Sequence, residues 1–113
     1  MRAGSLKHRV RIEERVRTPD EGGGTVEGWV TKAEGLRARI LEMAGSEKVV
    51  ADKLSGVLTH ELTLRRSSKT EGLSNLMRIV EVATGRIHDV KTVKLDERRR
   101  DYVVTTQTGG RVD

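Results

Sequence analysis

The C-terminal third reads Leu76-Met77-Arg78-Ile79-Val80-Glu81-Val82-Ala83, then Thr84-Gly85, then Arg86-Ile87-His88-Asp89-Val90-Lys91-Thr92-Val93-Lys94-Leu95, then Asp96-Glu97-Arg98, then the run Asp101 to Thr106. Three runs rich in Val, Ile and Thr, separated by gaps short enough to be hairpin turns, read as short antiparallel strands. Working back toward the N-terminus, Val57 to Arg66 alternates in the same way. Leu58, His60, Leu62 and Leu64 share one face, and Thr59, Glu61, Thr63 and Arg65 the other. Leu36, Ala38 and Ile40 alternate with Arg37 and Arg39. At the start, Leu6, His8, Val10, Ile12 and Val16 occupy even positions with basic and acidic residues between them. Period two with charge outward is a half-buried strand. The first strand stops at Thr18-Pro19-Asp20-Glu21-Gly22-Gly23-Gly24, an exposed turn, and a second extended piece covers Thr25 to Thr31 with the lone Trp29. The fold class is therefore mainly β: a small antiparallel barrel or sandwich.

One segment resists this pattern. Residues 44–56, Ala-Gly-Ser-Glu-Lys-Val-Val-Ala-Asp-Lys-Leu-Ser-Gly, lie between the second and third main strands. They suit a short helix with Ser46 as N-cap and Glu47 in its first turn, ending before Gly56. They suit a long loop equally, because Val49 stands where a capping box wants Glu or Gln. A polar loop, Ser67 to Gly72, follows the third main strand, and residues 107–113 read as a frayed tail.

The chain has 113 residues, enough for a single domain spanning 1–113. It is 35% hydrophobic and 35% charged, with one Trp, one Tyr, one Pro and no Phe, so Val, Leu, Ile and Ala have to fill the interior. A core built this way gives modest stability, and a partner surface is expected to complete it. The absence of cysteine removes disulfides, thiolate metal sites and cysteine nucleophiles together, which fits cytoplasmic assembly. No apolar run follows the basic N-terminus and none nears the ~20 residues of a membrane span, so neither export by an ordinary signal nor a membrane partner is expected.

No catalytic constellation is visible. His8, His60 and His88 each fall in a strand, and His60-Glu61 is followed by Leu-Thr-Leu rather than a His-Glu-x-x-His helix. Three strand histidines would form a metal site only by converging; hydrogen bonding to neighbours is the simpler expectation, so no metal or cofactor is assigned. Gly22-Gly23-Gly24 lacks the Lys-Ser/Thr of a phosphate loop and reads as a mobile hairpin tip. The 22 Lys plus Arg against 17 Asp plus Glu give a net charge of +5, which raises nucleic-acid binding as a function. Its carriers would be Arg9, Arg11, Arg15, Arg37, Arg39, Arg65, Arg66 and Arg98-Arg99-Arg100. A single-strand binder also wants stacking platforms, and only Trp29 and Tyr102 are present. Solvated faces or contacts between subunits explain the arginines better, since Arg suits interfaces.

The order of these features resembles the head-closure, or stopper, proteins that join head to tail in long-tailed bacteriophages and phage-like particles. Gly4, Leu6, His8, Arg9, Val10 and Ile12 match an opening Gly-x-Leu-x-His-Arg-Val-x-Ile; Asp20, Gly22, Gly23 and Trp29 follow as the Asp, paired Gly and Trp of that pattern. Gly45-Ser46-Glu47 stands where the family has Gly-x-Glu. Thr59, His60, Leu62, Leu64 and Arg65 resemble its Thr-His strand, and Gly85, Arg86, Val90, Asp96, Arg98 and Arg99 its closing hairpins. The match runs from about Arg2 to Thr106. This chain departs at His88, where an aromatic is usual, at Ser67-Ser68 after Arg66, where an aromatic is common, and near Thr105, which replaces a Cys.

The resemblance implies a β-barrel that assembles as a homo-oligomeric ring in the virion neck. The ring would lie below the portal-bound adaptor, dock a tail terminator or tail tube protein, and retain the packaged double-stranded DNA in its channel. Assembly would take place in the host bacterial cytoplasm, for an infectious phage or a gene transfer agent. The channel-facing segment maps onto 44–56, with Gly45, Ser46, Glu47, Lys48, Asp52 and Lys53 at the channel; their mixed charge lets DNA pass without the hold that a wall of lysines would exert. An ordinary exposed helix is the plainer reading of those residues. A compact chain of this size has a radius of gyration near 13 Å, too small for one copy to surround a duplex, so a closed ring is required. A tail-terminator ring and a basic β-barrel that binds nucleic acid are the alternatives. An enzyme is not expected.

Overall fold

The computed structural model describes residues 6–44 and 46–109. Six strands, β1 (His8–Pro19), β2 (Thr25–Glu42), β3 (Leu58–Arg65), β4 (Met77–Glu81), β5 (Ile87–Leu95) and β6 (Asp101–Thr108), alternate in direction. They close on themselves in the order β1-β2-β3-β6-β5-β4, so the barrel form of the expected fold is the one adopted. One helix, α1 (Glu47–Leu54), lies between β2 and β3.

The alternation read from the sequence fixes which side chains line the barrel. Val10, Ile12, Leu36, Ala38, Leu62, Leu64, Ile79, Val90 and Val104 are all buried in one cluster, with Ala33, Leu73 and Met77 beside them. No Phe or Trp contributes. His88 and Thr106, both 0% exposed, occupy interior space instead.

The two extended pieces expected at Thr25–Thr31 and around Leu36–Ile40 are one continuous strand of 18 residues, β2. Its pairing with β1 shifts register between Val10 and Ile12 and again between Ile12 and Glu13. Each shift places an extra residue on β2, and Gly35 at φ 72° takes the left-handed conformation there. A bulge bends a strand without ending it, which breaks the simple alternation in the sequence. Beyond the second shift, β1 and β2 leave the barrel together: β4 pairs with β1 only from Val10 to Glu14, and β3 pairs with β2 only from Ala38 to Glu42. Residues 15–29 thus form a two-stranded arm whose outer edges carry no strand partner among the described residues. The radius of gyration, 15.2 Å, exceeds the value for a compact chain because of this projection.

The polar loop after β3 is more ordered than its composition suggests. Thr70 is buried, accepts a hydrogen bond from the Ser67 amide at 2.8 Å, and its hydroxyl lies 3.1 Å from the Arg65 carbonyl oxygen. Lys69 and Lys32 tie this loop to β2, through the Glu34 and Glu71 carbonyl oxygens respectively. The frayed tail expected from residue 107 is not seen at its first two residues. Gln107 and Thr108 belong to β6, paired with Thr59 and Leu58, while 110–113 lie outside the described residues. Gly109 shows why the strand is held to its end: at φ 80°, a Cβ on it would collide with the Gly56 carbonyl oxygen just past α1. Gly109→Ala is expected to lower stability by about 1–2 kcal/mol in urea unfolding.

Candidate functional site

The barrel has two unlike ends. Because β1 and β5 run the same way, the arm and the β5–β6 turn (96–100) lie at one end. The α1 connection and the β4–β5 turn (82–86) lie at the other.

At the α1 end, the helix forms for the reasons its sequence offers. Ser46 takes an extended conformation and its hydroxyl accepts from the Val49 amide at 3.1 Å, as an N-cap should. Glu47 favours the helix start and Lys53 its end. Lys48 meets Asp52 at 3.3 Å and Lys53 meets Glu42 on β2 at 3.4 Å. Glu47, Lys48 and Lys53 are exposed and Asp52 is half-buried, so four of the six residues expected on a channel segment share one short helix; Ser46 caps it and Gly45 lies outside the described residues. No residue of α1 is buried. Two residues that the charge pattern hid are Val50 and Leu54, 50% and 85% exposed, one helical turn apart. Their i, i+4 spacing was the available signal.

Beneath this end lies a buried polar cluster. Glu81 on β4 sits 2.7 Å from His88 Nε2, and Thr106 Oγ1 lies 3.1 Å from His88 Nδ1. An ionised carboxylate only accepts, so Nε2–H donates to Glu81 and neutral Nδ1 accepts from the Thr106 hydroxyl. His60 packs edge-on against His88, ring centroids 5.0 Å apart, and its Nδ1 has no hydrogen-bond partner among the described residues. Burial pushes both imidazoles below the usual histidine pKa. For His88 the Glu81 hydrogen bond opposes that shift without reversing it. His8 is exposed at the start of β1 and does not join them. Among the described residues no group of three or more His, Cys, Asp or Glu is placed to hold a metal ion.

At the other end, the outer face carries a ladder of charge and one aromatic ring. Glu13 bridges Arg11 at 2.9 Å and Arg78 at 2.7 Å. Burial alone would raise its carboxyl, but hydrogen bonds and charge from the two arginines outweigh that and hold it below the usual glutamate value. The Arg78 guanidinium then stacks on Trp29, 4.1 Å from the ring centroid, with Arg15 at 5.1 Å. A shallow recess of about 300 Å³ lies beside them, lined in part by Arg17, Leu76 and Asp89. Trp29 is half-buried on the outside of the barrel, so Trp29→Ala is expected to cost about 1–2 kcal/mol by thermal unfolding, the loss of two cation–π contacts, rather than a core residue's cost.

The remaining residues singled out in the sequence do not converge. Leu6, Val10 and Ile12 are core; Thr59 and His60 are buried in β3, while Arg9 is exposed. Arg65 closes β3, 3.7 Å from Asp101. Gly85, at φ 74°, and Arg86 form the β4–β5 turn, where Arg86 lies 3.8 Å from Glu81. Asp96 organises the β5–β6 turn by accepting from the Arg100 amide at 2.9 Å, while Arg98, Arg99 and Arg100 project outward, Arg99 at φ 55°. Gly4 lies outside the described residues.

The described residues thus form a closed barrel with an exposed helix at one end and a projecting arm at the other. The chain belongs to the phage head completion protein family, whose model matches residues 1–108. Its role is structural, in completing the phage head. The fold is shared with a solution structure of a protein from Shigella flexneri 2a, at 20% identity and a TM-score of 0.71 over 99% of this chain and 100% of that one. It is shared also with a chain in the virion of a native gene transfer agent particle, at 20% identity and a TM-score of 0.63 over 92% of this chain and 94% of that one. A search of curated proteins returns no match.

Proposed function

We propose that copies of this chain close into a ring in the virion neck, below the portal and its adaptor, where the ring retains packaged DNA and docks the tail. The reading is non-enzymatic and places assembly in the host bacterial cytoplasm. The observation that carries it is α1. The strands around it, β2 and β3, already pair at Glu42 and His60, so the barrel has no need of the segment between them. That segment nevertheless folds into a capped helix with no buried residue and two large apolar side chains in solvent. A helix kept exposed at one end of a barrel supplies a surface for something outside the chain. In a ring, that place is the channel, lined by Ser46, Glu47, Lys48, Asp52 and Lys53. Lys48 and Lys53 are each paired with a carboxylate, which lowers their hold on passing phosphates. A place in a virion also agrees with the gene transfer agent particle whose chain shares this fold.

Negative-stain microscopy of the purified chain with a portal–adaptor complex tests the proposal. An added ring at the neck is expected. No binding to the complex, together with normal particles assembling without the chain, overturns it. A chain that caps isolated tail tubes and ignores filled heads is a terminator ring instead. Nucleic-acid binding as the main task is disfavoured at Trp29, whose ring already carries Arg78 and Arg15.

A further inference from the structure

The arm has features that its own barrel does not use. Its tip, Thr18–Val26, holds Asp20 and Glu21 and no basic residue, a local charge of −2 in a chain of total +5, which leaves +7 elsewhere. Asp20 spends one carboxylate oxygen on its own turn, accepting from the Gly22 and Gly24 amides at 2.9 and 2.8 Å. Neither Asp20 nor Glu21 forms an ion pair among the described residues, although Arg17 and Glu27 lower on the arm pair at 2.9 Å. On the face that continues the barrel interior, Val26 and Val30 are 52% and 46% exposed, and Val16 beside them is half-buried. A two-stranded ribbon with open edges and exposed valines is marginal in water unless something covers it.

The complementary surface lies on the same chain at the same end of the barrel. Arg98, Arg99 and Arg100 are exposed, and none has an ion-pair partner among the described residues. The turn that presents them is fixed by Asp96, whose carbonyl oxygen accepts from the Arg99 amide and whose carboxylate accepts from the Arg100 amide, so the backbone that carries the three arginines has a defined place. The arm projects roughly 20 Å beyond its last contact with β4, from five strand residues and a turn. It does not fold back onto its own turn. Copies related by rotation about a ring axis bring equivalent ends to the same level, so the arm of one copy reaches the turn of the next in a head-to-tail contact that repeats until the ring closes.

We infer that the β1–β2 arm clamps onto a second copy of this chain, its Asp20–Glu21 tip engaging the Arg98–Arg100 turn and its valines covered by the neighbouring barrel. This rests on the ring reading for its geometry, and names the contact that builds the ring. The interaction is charge-led at its tip and so weakens with salt.

The cysteine-free sequence makes the test clean. Full-length Glu21→Cys and Arg99→Cys variants are mixed and oxidised, both in solution at concentrations up to ~1 mM, where a contact worth about 4 kcal/mol is half-populated, and on a portal–adaptor complex. The mixed Glu21–Arg99 disulfide is expected in at least several-fold excess over either symmetric dimer. The Arg98→Glu/Arg99→Glu variant is expected to abolish self-association, and combining it with Asp20→Lys/Glu21→Lys to restore it. Symmetric dimers in statistical yield, or self-association unchanged by either charge reversal, overturn the inference. So does a result in which Arg98→Glu/Arg99→Glu lowers affinity for a short DNA duplex and leaves self-association intact, since the turn then serves nucleic acid. The ring reading fails separately. A ring added to the complex by the wild-type chain, with no mixed disulfide from the two cysteine variants bound to that complex, sinks only the arm contact, whereas a mixed disulfide in solution with no binding to the complex sinks only the neck assignment.

Discussion

Particles completed by a chain in which Ser46–Gly56 is replaced by a short glycine linker are expected to lose their DNA, while the purified barrel unfolds at nearly the parental urea midpoint. The stability half follows from the packing. α1 has no buried residue, its ion pairs are largely exposed, and among the described residues it meets the barrel through the Lys53–Glu42 pair and light packing on β3. Glu42 and His60 are already paired across the gap, so a short linker suffices to join them. Shortening the connection also lowers the entropy of closing it, an effect that offsets the lost helix contacts to within about 1 kcal/mol. The functional half follows from the proposed channel position. DNase protection of packaged DNA and electron microscopy of filled and empty heads read it out. Protected DNA in particles that carry the shortened chain would remove the channel assignment from 44–56 and leave the barrel assignment standing.

The second large effect is acid sensitivity. His60 and His88 have their pKa values depressed by burial from the ordinary 6.5. The unfolded chain therefore binds more protons than the folded one once the pH drops below that value. Stability is then fully present above about pH 6.5 and is lost as the pH falls toward the depressed folded values. Each histidine contributes at most about 1.4 kcal/mol per pH unit in that window, and the pair at most about 2.7. Glu42, Glu81 and Asp89 oppose the effect by favouring the imidazolium forms, and Arg86 reinforces it. Glu13 acts in a separate window. Its lowered carboxyl keeps its contribution until the pH falls below the usual 4.5. Urea unfolding at pH 8.0, 6.5 and 5.0 is expected to show a fall in midpoint between the last two. Glu81→Ala is expected to cost about 1–3 kcal/mol already at pH 8.0, because His88 Nε2–H would be left buried without an acceptor. A midpoint unchanged between pH 8.0 and 5.0 would mean that the two rings are hydrated in solution.

The same cluster bears on how an aromatic-poor core is filled. His88 is fully buried, and its imidazole takes up interior volume that no Phe or Trp occupies. Thr106 and Glu81, on the two neighbouring strands, satisfy its nitrogens. A core with so few large side chains thus spends an interior position on a hydrogen-bonded group, which favours a defined register over maximum stability.

The sequence by itself determined the strands, their alternation and most of the core. Val10, Ile12, Leu62, Leu64, Ile79, Val90 and Val104 are legible because a strand has a side-chain period of two, and one face has to be apolar when it is buried. The hairpins were legible because Thr84-Gly85 and the stretch after Asp96 are too short for any other connection. Ser46 was legible as a cap, yet whether 44–56 forms a helix was open, since eight residues without a full capping box lack a decisive local signal. Tertiary structure alone decided the rest. Closure of the barrel depends on β1 pairing with β4, a contact between residues nearly seventy positions apart that leaves no mark on either strand's pattern. The bulges in β2 joined two apparent strands into one and sent the arm out of the barrel, because a bulge depends on its partner strand. The meeting of Glu81, His88, Thr106 and His60 likewise needed three-dimensional neighbourhood. Local physics fixes what each segment is. Only the long-range pairing fixes which surfaces stay exposed.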